Sequence, residues 1–413
     1  MASASRARAR LAGYLPPCWA LCVVIARTPR WAFQGRRCGN TSLQRNLQEL
    51  GRRISIEVNP DSSKNGGTGS ALLRSAERLP PKSSIFVNMV KTEVDHFKDV
   101  ADTTRLLADE GYEPIPHMPV SRLSTAEEFH GTLDMLTEAG ARQLLLVGGN
   151  DLRQRNAQNE LRFRNVSALL KAEAKSMKAA GIQTVALAGL PDSPPWPGWD
   201  EKVATRVLLE KVRLVLEAGL KAEVASQFCF NPRQLVHWLR ETATALEAEG
   251  LHGVTFRVGV AGPTRLKRLR RIAEICEVPA DFLHPGMFDL ALGGHDRVAA
   301  EGLEDAGLGL SQRDLSPFAG EDGCLGRPEL ACALAEVEGG FEVPAERSQT
   351  GNGSGPSVFV ECQEDSEEEL VIPKDLLYVL AACDGNLAVN LYPFGGLTQS
   401  LSMAKSLRAG EPL

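Results

Sequence analysis

Several polar residues that could carry chemistry stand inside short apolar stretches of this 413-residue sequence. Glu57 lies in Ile-Ser-Ile-Glu-Val-Asn-Pro, where apolar neighbours would partly desolvate the carboxyl group, raise its pKa and suit it to general-acid chemistry. Gln227, in Ser-Gln-Phe-Cys-Phe, carries an amide that both donates and accepts hydrogen bonds, as recognition of a heterocycle requires. His117, in Pro-Ile-Pro-His-Met, is a candidate hydrogen-bond donor to a ligand.

Each of these residues also has a structural interpretation. Glu57 could pair with a neighbouring Arg or Lys, and His117 could be a satisfied structural residue. Phe228 and Phe230, which follow Gln227, could stack on a ligand or fill core. The residue types alone leave both interpretations open.

The chain alternates between short apolar strands and helices with apolar residues three and four apart. The predicted strands are Ile54–Val58, Ile85–Val90, Pro114–Met118, Gln143–Val147, Thr184–Ala188, Ala222–Gln227, Gly253–Val260 and Leu387–Leu391. The predicted helices are Ser70–Arg78, Val94–Glu110, one that starts at Ser124 with Glu127 completing a capping box, Val166–Ala180, Glu201–Ala218, Pro232–Glu249, Pro263–Cys276 and Leu397–Arg408.

Regular alternation of this kind is typical of parallel strands joined by helical crossovers, and eight units predict an α/β fold, a closed (βα)8 TIM barrel. A flavodoxin-like open sheet would need fewer units, and no Gly-x-Gly-x-x-Gly follows the first strand. In a TIM barrel the active site lies where the strands end. The polar residues at the predicted strand ends are Glu57, Asn59, Asn88, His117, Asn150, Gln227 and Asn231.

The segments outside the alternating pattern have unusual composition. Residues 1–48 contain Arg and Ser but no Asp or Glu, which is typical of a mitochondrial or plastid targeting segment. A short apolar run, Trp19–Ala26, is too short to span a bilayer, and an unstructured basic tail is the alternative. Residues 293–370 are rich in Gly and acidic residues, so we expect a mostly disordered insertion or, alternatively, an artefact of the gene model.

The predicted organisation is therefore a targeting segment (1–48), seven βα units of the barrel (49–292), the insertion (293–370) and the last βα unit (371–413). The protein is expected in an organelle, with the cytoplasm as the alternative. A net charge of −6 gives no general attraction to nucleic acid or anionic membranes. The nine cysteines form no CxxC pair, so we expect reduced thiols and no metal site.

In order and spacing, the motifs resemble those of the methylenetetrahydrofolate reductase family, especially its shorter bacterial-type members. Glu57 and Pro60 match the Phe-Glu-x-x-Pro-like pattern of the family's first strand, and Pro116-His117 matches the Pro-His of its third. The other matches are Arg122 in Val-Ser-Arg-Leu, Val147 to Asn150 for Leu-Arg-Gly-Asp, Ala188 to Asp192 for Ala-Gly-Tyr-Pro-Glu, Leu208 with Lys211 for Leu-x-x-Lys, Ser226 to Phe228 for Thr-Gln-Phe, Gly259 to Pro263, and Asn390 to Gly396. The resemblance covers residues 52–290 and 373–410.

The resemblance implies an FAD-dependent enzyme that reduces 5,10-methylenetetrahydrofolate to 5-methyltetrahydrofolate, with NADH or NADPH as electron donor. Glu57 would protonate N5 of the folate, and Gln227 and Phe228 would bind the folate. The residues that the resemblance assigns to FAD are Asn88, His117, Gly148, Gly149, Asn150, Ala188 and Lys211. The oligomeric state is open, and a homo-oligomer is among the alternatives.

The sequence also departs from the family pattern. Asn150 replaces an Asp near the flavin, Gly148 replaces an Arg, and Pro194 replaces a His, while Ala204 and Val207 stand where the family has polar flavin contacts. Fewer side chains would then hold the flavin. Two other interpretations stay open for this reason: a non-catalytic barrel that binds folate or flavin, and an oxidoreductase of the same superfamily with another substrate.

Overall fold

The computed structural model of the protein describes residues 40–60, 67–89, 96–149, 158, 161–192, 198–281, 283, 370–372, 374–383 and 385–411. Ten strands are found there: β1 Ile54–Val58, β2 Ser84–Val87, β3 Glu113–Pro119, β4 Gln143–Val147, β5 Thr184–Gly189, β6 Lys221–Phe228, β7 Thr255–Ala261, β8 Thr264–Arg265, β9 Leu370–Val371 and β10 Leu387–Tyr392. Eight of them pair in parallel and close in the order β1-β10-β7-β6-β5-β4-β3-β2. The predicted TIM barrel is confirmed.

Helices alternate with these strands along the chain. They are α1 Asn40–Arg52, α2 Gly69–Arg74, α3 His96–Asp109, α4 Ala126–Glu138, α5 Val166–Ala179, α6 Glu201–Glu217, α7 Pro232–Ala248, α8 Leu266–Ile275, α9 Lys374–Ala382 and α10 Leu397–Ala409, with a 3-10 turn at Val120–Arg122. The helix predicted to begin at Ser124 is capped one residue later. Thr125 and Glu128 form the capping box instead of Ser124 and Glu127, because Thr125 is the residue with extended backbone before the first helical turn.

Alternation along each strand separates two cores. Ile54, Ile56 and Val58 of β1 belong to the large core between the sheet and its helices. The other face of the strands points into the barrel, where a smaller core fills the interior. Its buried members are Phe86, Ile115, Leu145, Val147 and Ala186. Glu57 lies on this inner face, one residue before the end of β1.

A buried ion pair lies deeper in the barrel. Arg257 on β7 donates from Nε to Glu223 Oε1 at 2.6 Å and from an Nη to Glu223 Oε2 at 3.0 Å. The guanidinium carbon lies 5.8 Å from the centroid of the Phe86 ring, a favourable cation–π arrangement. Two-point contact in a fixed fork geometry makes this pair a rigid part of the barrel interior.

The seventh unit differs from its prediction. The helix after β7 begins at Leu266, and the preceding Thr264–Arg265 forms the short strand β8, which pairs antiparallel with β9. The apolar face of α8 packs with Phe228 and Phe230 in a separate cluster outside the main core. Helix α9, which the sequence did not predict, packs against α1 and α7 and contributes Leu377 to the main core. We conclude that α9 occupies the crossover position predicted for α8.

Helix α1 is a second addition to the predicted pattern. It packs on α9 and α10, with Leu50 buried in the main core and Leu43 and Leu47 partly buried against it. Side chains of α1 also donate to backbone oxygens at the end of α10, from Gln44 to Gly410 and from Gln48 to Ala409. Residues 40–48 of the predicted targeting segment are thus packed on the barrel, while residues 1–39 lie outside the described residues.

Candidate active site at the barrel mouth

Three of the predicted site residues meet where β1, β2 and β3 end. Glu57 pairs in register with Phe86, so Asn88, two residues beyond Phe86, faces the same interior. The Asn88 amide nitrogen donates to Glu57 Oε1 at 2.7 Å. His117 on β3 places its Nε2 atom 3.8 Å from the other carboxyl oxygen, Oε2. The two oxygens of the Glu57 carboxyl group therefore have different neighbours, Asn88 at Oε1 and His117 at Oε2.

The pocket around this carboxyl group is nearly closed to solvent. The side chains of His117 and Glu57 are 12% and 14% exposed, and the His117 ring meets the Phe86 ring at an angle of 75° with 6.0 Å between centroids. Burial lowers the pKa of His117 from its usual 6.5 to about 3 because desolvation disfavours the imidazolium ion. His117 is therefore neutral near pH 7, and its contact with Glu57 is not an ion pair.

Gln227 lies on the opposite part of the mouth. The register of β6 against β7 shifts between Ala225 and Phe228, and this irregularity re-aims the residues at the strand end. Gln227 Oε1 accepts from the backbone N–H of Phe228 at 3.2 Å. Ser226 supports the segment, because its hydroxyl oxygen accepts from the N–H of Gly259 at 2.9 Å. Gln227 is half-buried and held in a defined position.

Phe228 is not placed for ligand stacking. It is 1% exposed and makes edge contacts with Tyr392 and Phe394, at centroid distances of 5.5 and 5.0 Å. Phe230 is 5.4 Å away in the same cluster. Both phenylalanines therefore fill core, as the structural interpretation of the sequence allowed, and the role predicted for Phe228 in substrate binding needs this correction. A ring without an accessible face cannot stack on a ligand.

The glycines after β4 are explained by contacts within the protein. Gly149 has a φ angle of +101°, and a Cβ atom there would collide with the hydroxyl of Ser121. The backbone N–H of Ser121 donates to Gly148 at 2.9 Å, which fixes the approach of the 3-10 turn to β4. Gly149 is thus required by its own fold. Asn150 and Pro194, two positions where the sequence departs from the family, lie outside the described residues.

Lys211 lies apart from the carboxyl group, on α6. It is 8% exposed and lines a cavity of about 30 Å³ together with Gly148, Ala188, Trp199 and Trp238. The predicted flavin residues Gly148, Ala188 and Lys211 therefore line one common cavity, and the phosphate contact of Lys211 stays a prediction.

The loops after β5 and β6 hold a pair of side chains, Asp192 and Cys229, to which the sequence motifs assigned no role. Burial raises the pKa of Asp192, and the neighbouring Cys229 thiol acts in the opposite direction. The thiol also donates to the backbone oxygen of Asn231 at 3.4 Å. Burial, reinforced by Asp192, raises the pKa of the Cys229 thiol, so Cys229 is an unreactive thiol. Asp192 lies three residues beyond β5, at the end of the segment that resembles the family's Ala-Gly-Tyr-Pro-Glu. Another candidate, Asn231, caps α7 by accepting from two backbone N–H groups.

Two classes of site are not seen in the described part of the chain. None of its helices is long and apolar enough to cross a bilayer. The described His, Cys, Asp and Glu residues form no group of three that could hold a metal ion. The cysteines that can be described, Cys229, Cys276 and Cys383, are free.

Comparison with known proteins adds little to this picture. No family model matches the sequence. A putative deoxyribose-phosphate aldolase from Toxoplasma gondii is 14% identical, over 53% of this chain and 78% of that one, with a TM-score of 0.32. A putative phosphonomutase from Burkholderia cenocepacia is 14% identical over 54% and 84%, with a TM-score of 0.34. An uncharacterized protein from Clostridium thermocellum that binds two copies of 5-methyl-5,6,7,8-tetrahydrofolic acid is 13% identical over 63% and 84%, with a TM-score of 0.37.

These likenesses are too weak to carry an argument, and the fold rests on the strand pairing itself. Fold and site together define a class: a (βα)8 barrel with a largely buried carboxyl group, that of Glu57, near its mouth, held by an amide and facing a neutral imidazole. A carboxamide, Gln227, lies on another strand of the same mouth. Such a site suits proton transfer to a bound heterocycle.

Proposed function

We propose that the protein is an oxidoreductase of one-carbon metabolism that reduces 5,10-methylenetetrahydrofolate to 5-methyltetrahydrofolate with NADH or NADPH, using FAD. The observation that supports the proposal is the environment of Glu57. Its carboxyl group lies at the catalytic end of the barrel, is 14% exposed and accepts one amide hydrogen bond. The resemblance of the sequence motifs supplies the choice of substrate.

The proposed role of Glu57 is to protonate N5 of the folate, so that the five-membered ring opens to an iminium ion. An acid that protonates a weakly basic nitrogen must hold its proton near neutral pH, so its pKa must lie above the usual ~4.3. Burial acts in this direction because it disfavours the carboxylate. The hydrogen bond from Asn88 fixes Oε1, which keeps the acid oriented.

Gln227 would bind the pterin ring. Its Oε1 already accepts from the Phe228 backbone, so the Nε2 group is the part of the amide that would donate to the acceptor edge of the heterocycle. A half-buried amide fixed in this way discriminates between ligands, because a ligand without the matching acceptor leaves a donor unsatisfied.

FAD, when bound, supplies the hydride that it has received from the nicotinamide. The residues assigned to it by resemblance fit only in part. Gly148 and Ala188 lie at the carboxyl ends of β4 and β5, where backbone could approach a flavin, and Lys211 lines the same cavity. His117, by contrast, is directed at Glu57.

The test is to substitute Glu57 by Gln and to measure both half-reactions by stopped flow. Reduction of the flavin by NAD(P)H needs no acid at folate N5 and should persist, while reduction of the folate should fall by about a hundredfold or more. Glu113→Gln is the matched control, since Glu113 is an exposed carboxylate at the start of β3. Equal losses in both half-reactions would point to a structural Glu57, and no loss would remove it from the mechanism.

A second candidate is a barrel that binds folate or flavin without catalysis. The replacement of the family's Arg by Gly148 favours it, because fewer side chains would then hold a flavin. An absorbance spectrum and mass spectrometry of purified residues 40–413 distinguish the two. Bound flavin with turnover supports the enzyme, whereas a colourless protein that still binds folate in calorimetry supports the binding protein.

A further inference from the structure

The two oxygens of the Glu57 carboxyl group have different partners. Oε1 accepts from the Asn88 amide at 2.7 Å. In a protonated carboxyl group the carbonyl-type oxygen is the better acceptor, so this hydrogen bond selects Oε1 as the carbonyl oxygen. When Glu57 is protonated, its proton is therefore carried by Oε2, the oxygen that faces His117 at 3.8 Å.

The atom that faces Oε2 needs a partner. His117 Nε2 is buried and makes no hydrogen bond with any described residue, and an unsatisfied buried nitrogen destabilises a fold. His117 is neutral because burial lowers its pKa to about 3, so one of its two ring nitrogens carries a lone pair and the other a proton. A lone pair on Nε2 and a proton on Oε2 complement each other.

We infer that His117 is a positioning residue whose Nε2 lone pair accepts the acid proton carried by Glu57 Oε2. The contact is now longer than a hydrogen bond, and such contacts often tighten when ligand enters. A hydrogen bond to the protonated form raises the pKa of Glu57 and keeps more of it protonated near neutral pH. The use of this proton in catalysis rests on the proposed function, whereas its position on Oε2 does not.

The surroundings of the pair support the assignment. Phe86 from β2 contacts His117 edge-on, and Val147 on the adjacent β4 contributes an apolar side chain to the interior core. The polar neighbours are uncharged. They are Asn88 and, deeper in the barrel on β1 and β10, Ser55 and Asn390, whose side chains share a hydrogen bond of 2.8 Å. Arg257, the cation recorded over Phe86, is already paired with Glu223. No described charge competes with Glu57 for His117.

The direct test is NMR of the full chain labelled with 15N-histidine and 13C-glutamate, with Glu57→Gln used for assignment. The 15N shifts of His117 should show an unprotonated Nε2 and a protonated Nδ1 at pH values where Glu57 is protonated. A proton on Nε2 under those conditions would overturn the inference. This measurement uses the unmodified protein and needs no folate.

Two variants extend the test. His117→Phe keeps a flat ring against Phe86 but removes the acceptor, so the pKa of Glu57 should fall by about one unit, the scale of one hydrogen bond. His117→Gln offers an amide oxygen and should restore most of the shift. A rise in the Glu57 pKa with Phe would mean that His117 donates to the carboxylate, which contradicts the inference.

The outcomes separate this inference from the proposed function. In folate reduction, His117→Phe should move the pH at which the rate declines downward by the same unit, and His117→Gln should move it most of the way back. If the NMR result is as expected but Glu57→Gln reduces folate normally, only the proposed function falls. If Glu57→Gln loses folate reduction but Nε2 carries the proton, only the inference about His117 falls.

Discussion

At the residue scale, the buried and neutral imidazole of His117 makes the stability of the fold depend on pH. The pKa of His117 is near 6.5 in an unfolded chain and about 3 in the folded protein. Between these values the unfolded state binds the additional proton, so acid favours unfolding. The stabilising effect is complete above the unfolded pKa and declines as the pH falls toward the folded one.

We predict that the free energy of unfolding of the wild type falls, relative to His117→Phe, by about 2.5 kcal/mol between pH 7 and pH 4.5. Urea titrations at a series of pH values measure it. His237→Gln is the control, because His237 is an exposed partner of Glu201 and should leave the slope unchanged. Parallel pH dependence in the wild type and His117→Phe would show that His117 can take up a proton in the folded state.

The buried ion pair of Glu223 and Arg257 predicts a large loss of stability when one partner is removed. Both side chains are less than a tenth exposed, so Glu223→Ala leaves a buried guanidinium without its carboxylate and should cost about 3–5 kcal/mol in unfolding free energy. Glu249→Ala, which breaks the exposed pair with Arg213, should cost less than about 1 kcal/mol. Equal costs in urea unfolding would mean that water reaches Arg257.

The sequence predicts residues well where a local rule decides their position. Glu57, Asn88 and His117 were found because polar residues at the ends of parallel strands share one edge, and that rule needs no side-chain detail. The role of Phe228 could not be predicted, because it depends on Tyr392 and Phe394 from a strand more than a hundred positions away. Likewise, the volume at Lys211 depends on two tryptophans from different elements.

At the scale of elements, the seventh helix was misplaced because its position depends on tertiary packing and not on a local sequence rule. Both α8 and α9 have apolar residues at helical spacing, but only packing decides which one covers the sheet between β7 and β10. The predicted targeting segment ended inside α1, because residues 1–48 contain no Asp or Glu, whereas the helical spacing of Leu43, Leu47 and Leu50 marks the start of the packed chain. Composition does not report the tertiary contacts of a helix.

Helix α1 refines the expected processing of the N-terminus. We propose that residues before it are removed on import into an organelle, so N-terminal sequencing of the native protein should start at or before Asn40. A chain that begins at residue 40 should match the mature protein in thermal stability. One that begins at Arg53 loses the packing of three leucines, each contributing up to about 1.5–3 kcal/mol when fully buried. Intact Met1 in the native protein would contradict the import proposal.

At the scale of the whole molecule, the strand pair of β8 and β9 connects parts of the chain that are distant in sequence. Arg265 pairs with Leu370, and Thr264 with Val371, so the chain just before α8 is next to β9. Val278 and Leu283, which follow α8, pack in the same cluster as Val371. Val371 belongs to the cluster that contains Phe228 and Leu266. A long insertion can therefore be accommodated here without separating β7 from β10.

This arrangement predicts that residues 302–364 can be deleted. The deletion keeps β8, α8 and β9, and the chain between two fixed ends changes its closure free energy by only about 0.6 kcal/mol for each halving of its length. The Gly-rich and acidic composition of the deleted part suggests few core contacts. Soluble yield, melting temperature and folate binding should stay close to those of the full chain.

A second deletion, of residues 264–371, gives the contrast. It removes β8, α8 and β9 and would expose the cluster around Phe228 and Phe230, which lies beside Gln227 at the barrel mouth. We expect a large loss of melting temperature and of ligand binding from this deletion alone, because several buried apolar side chains lose their partners. Similar losses from the shorter deletion would show that residues 302–364 pack against the barrel and would end the view of them as a dispensable insertion.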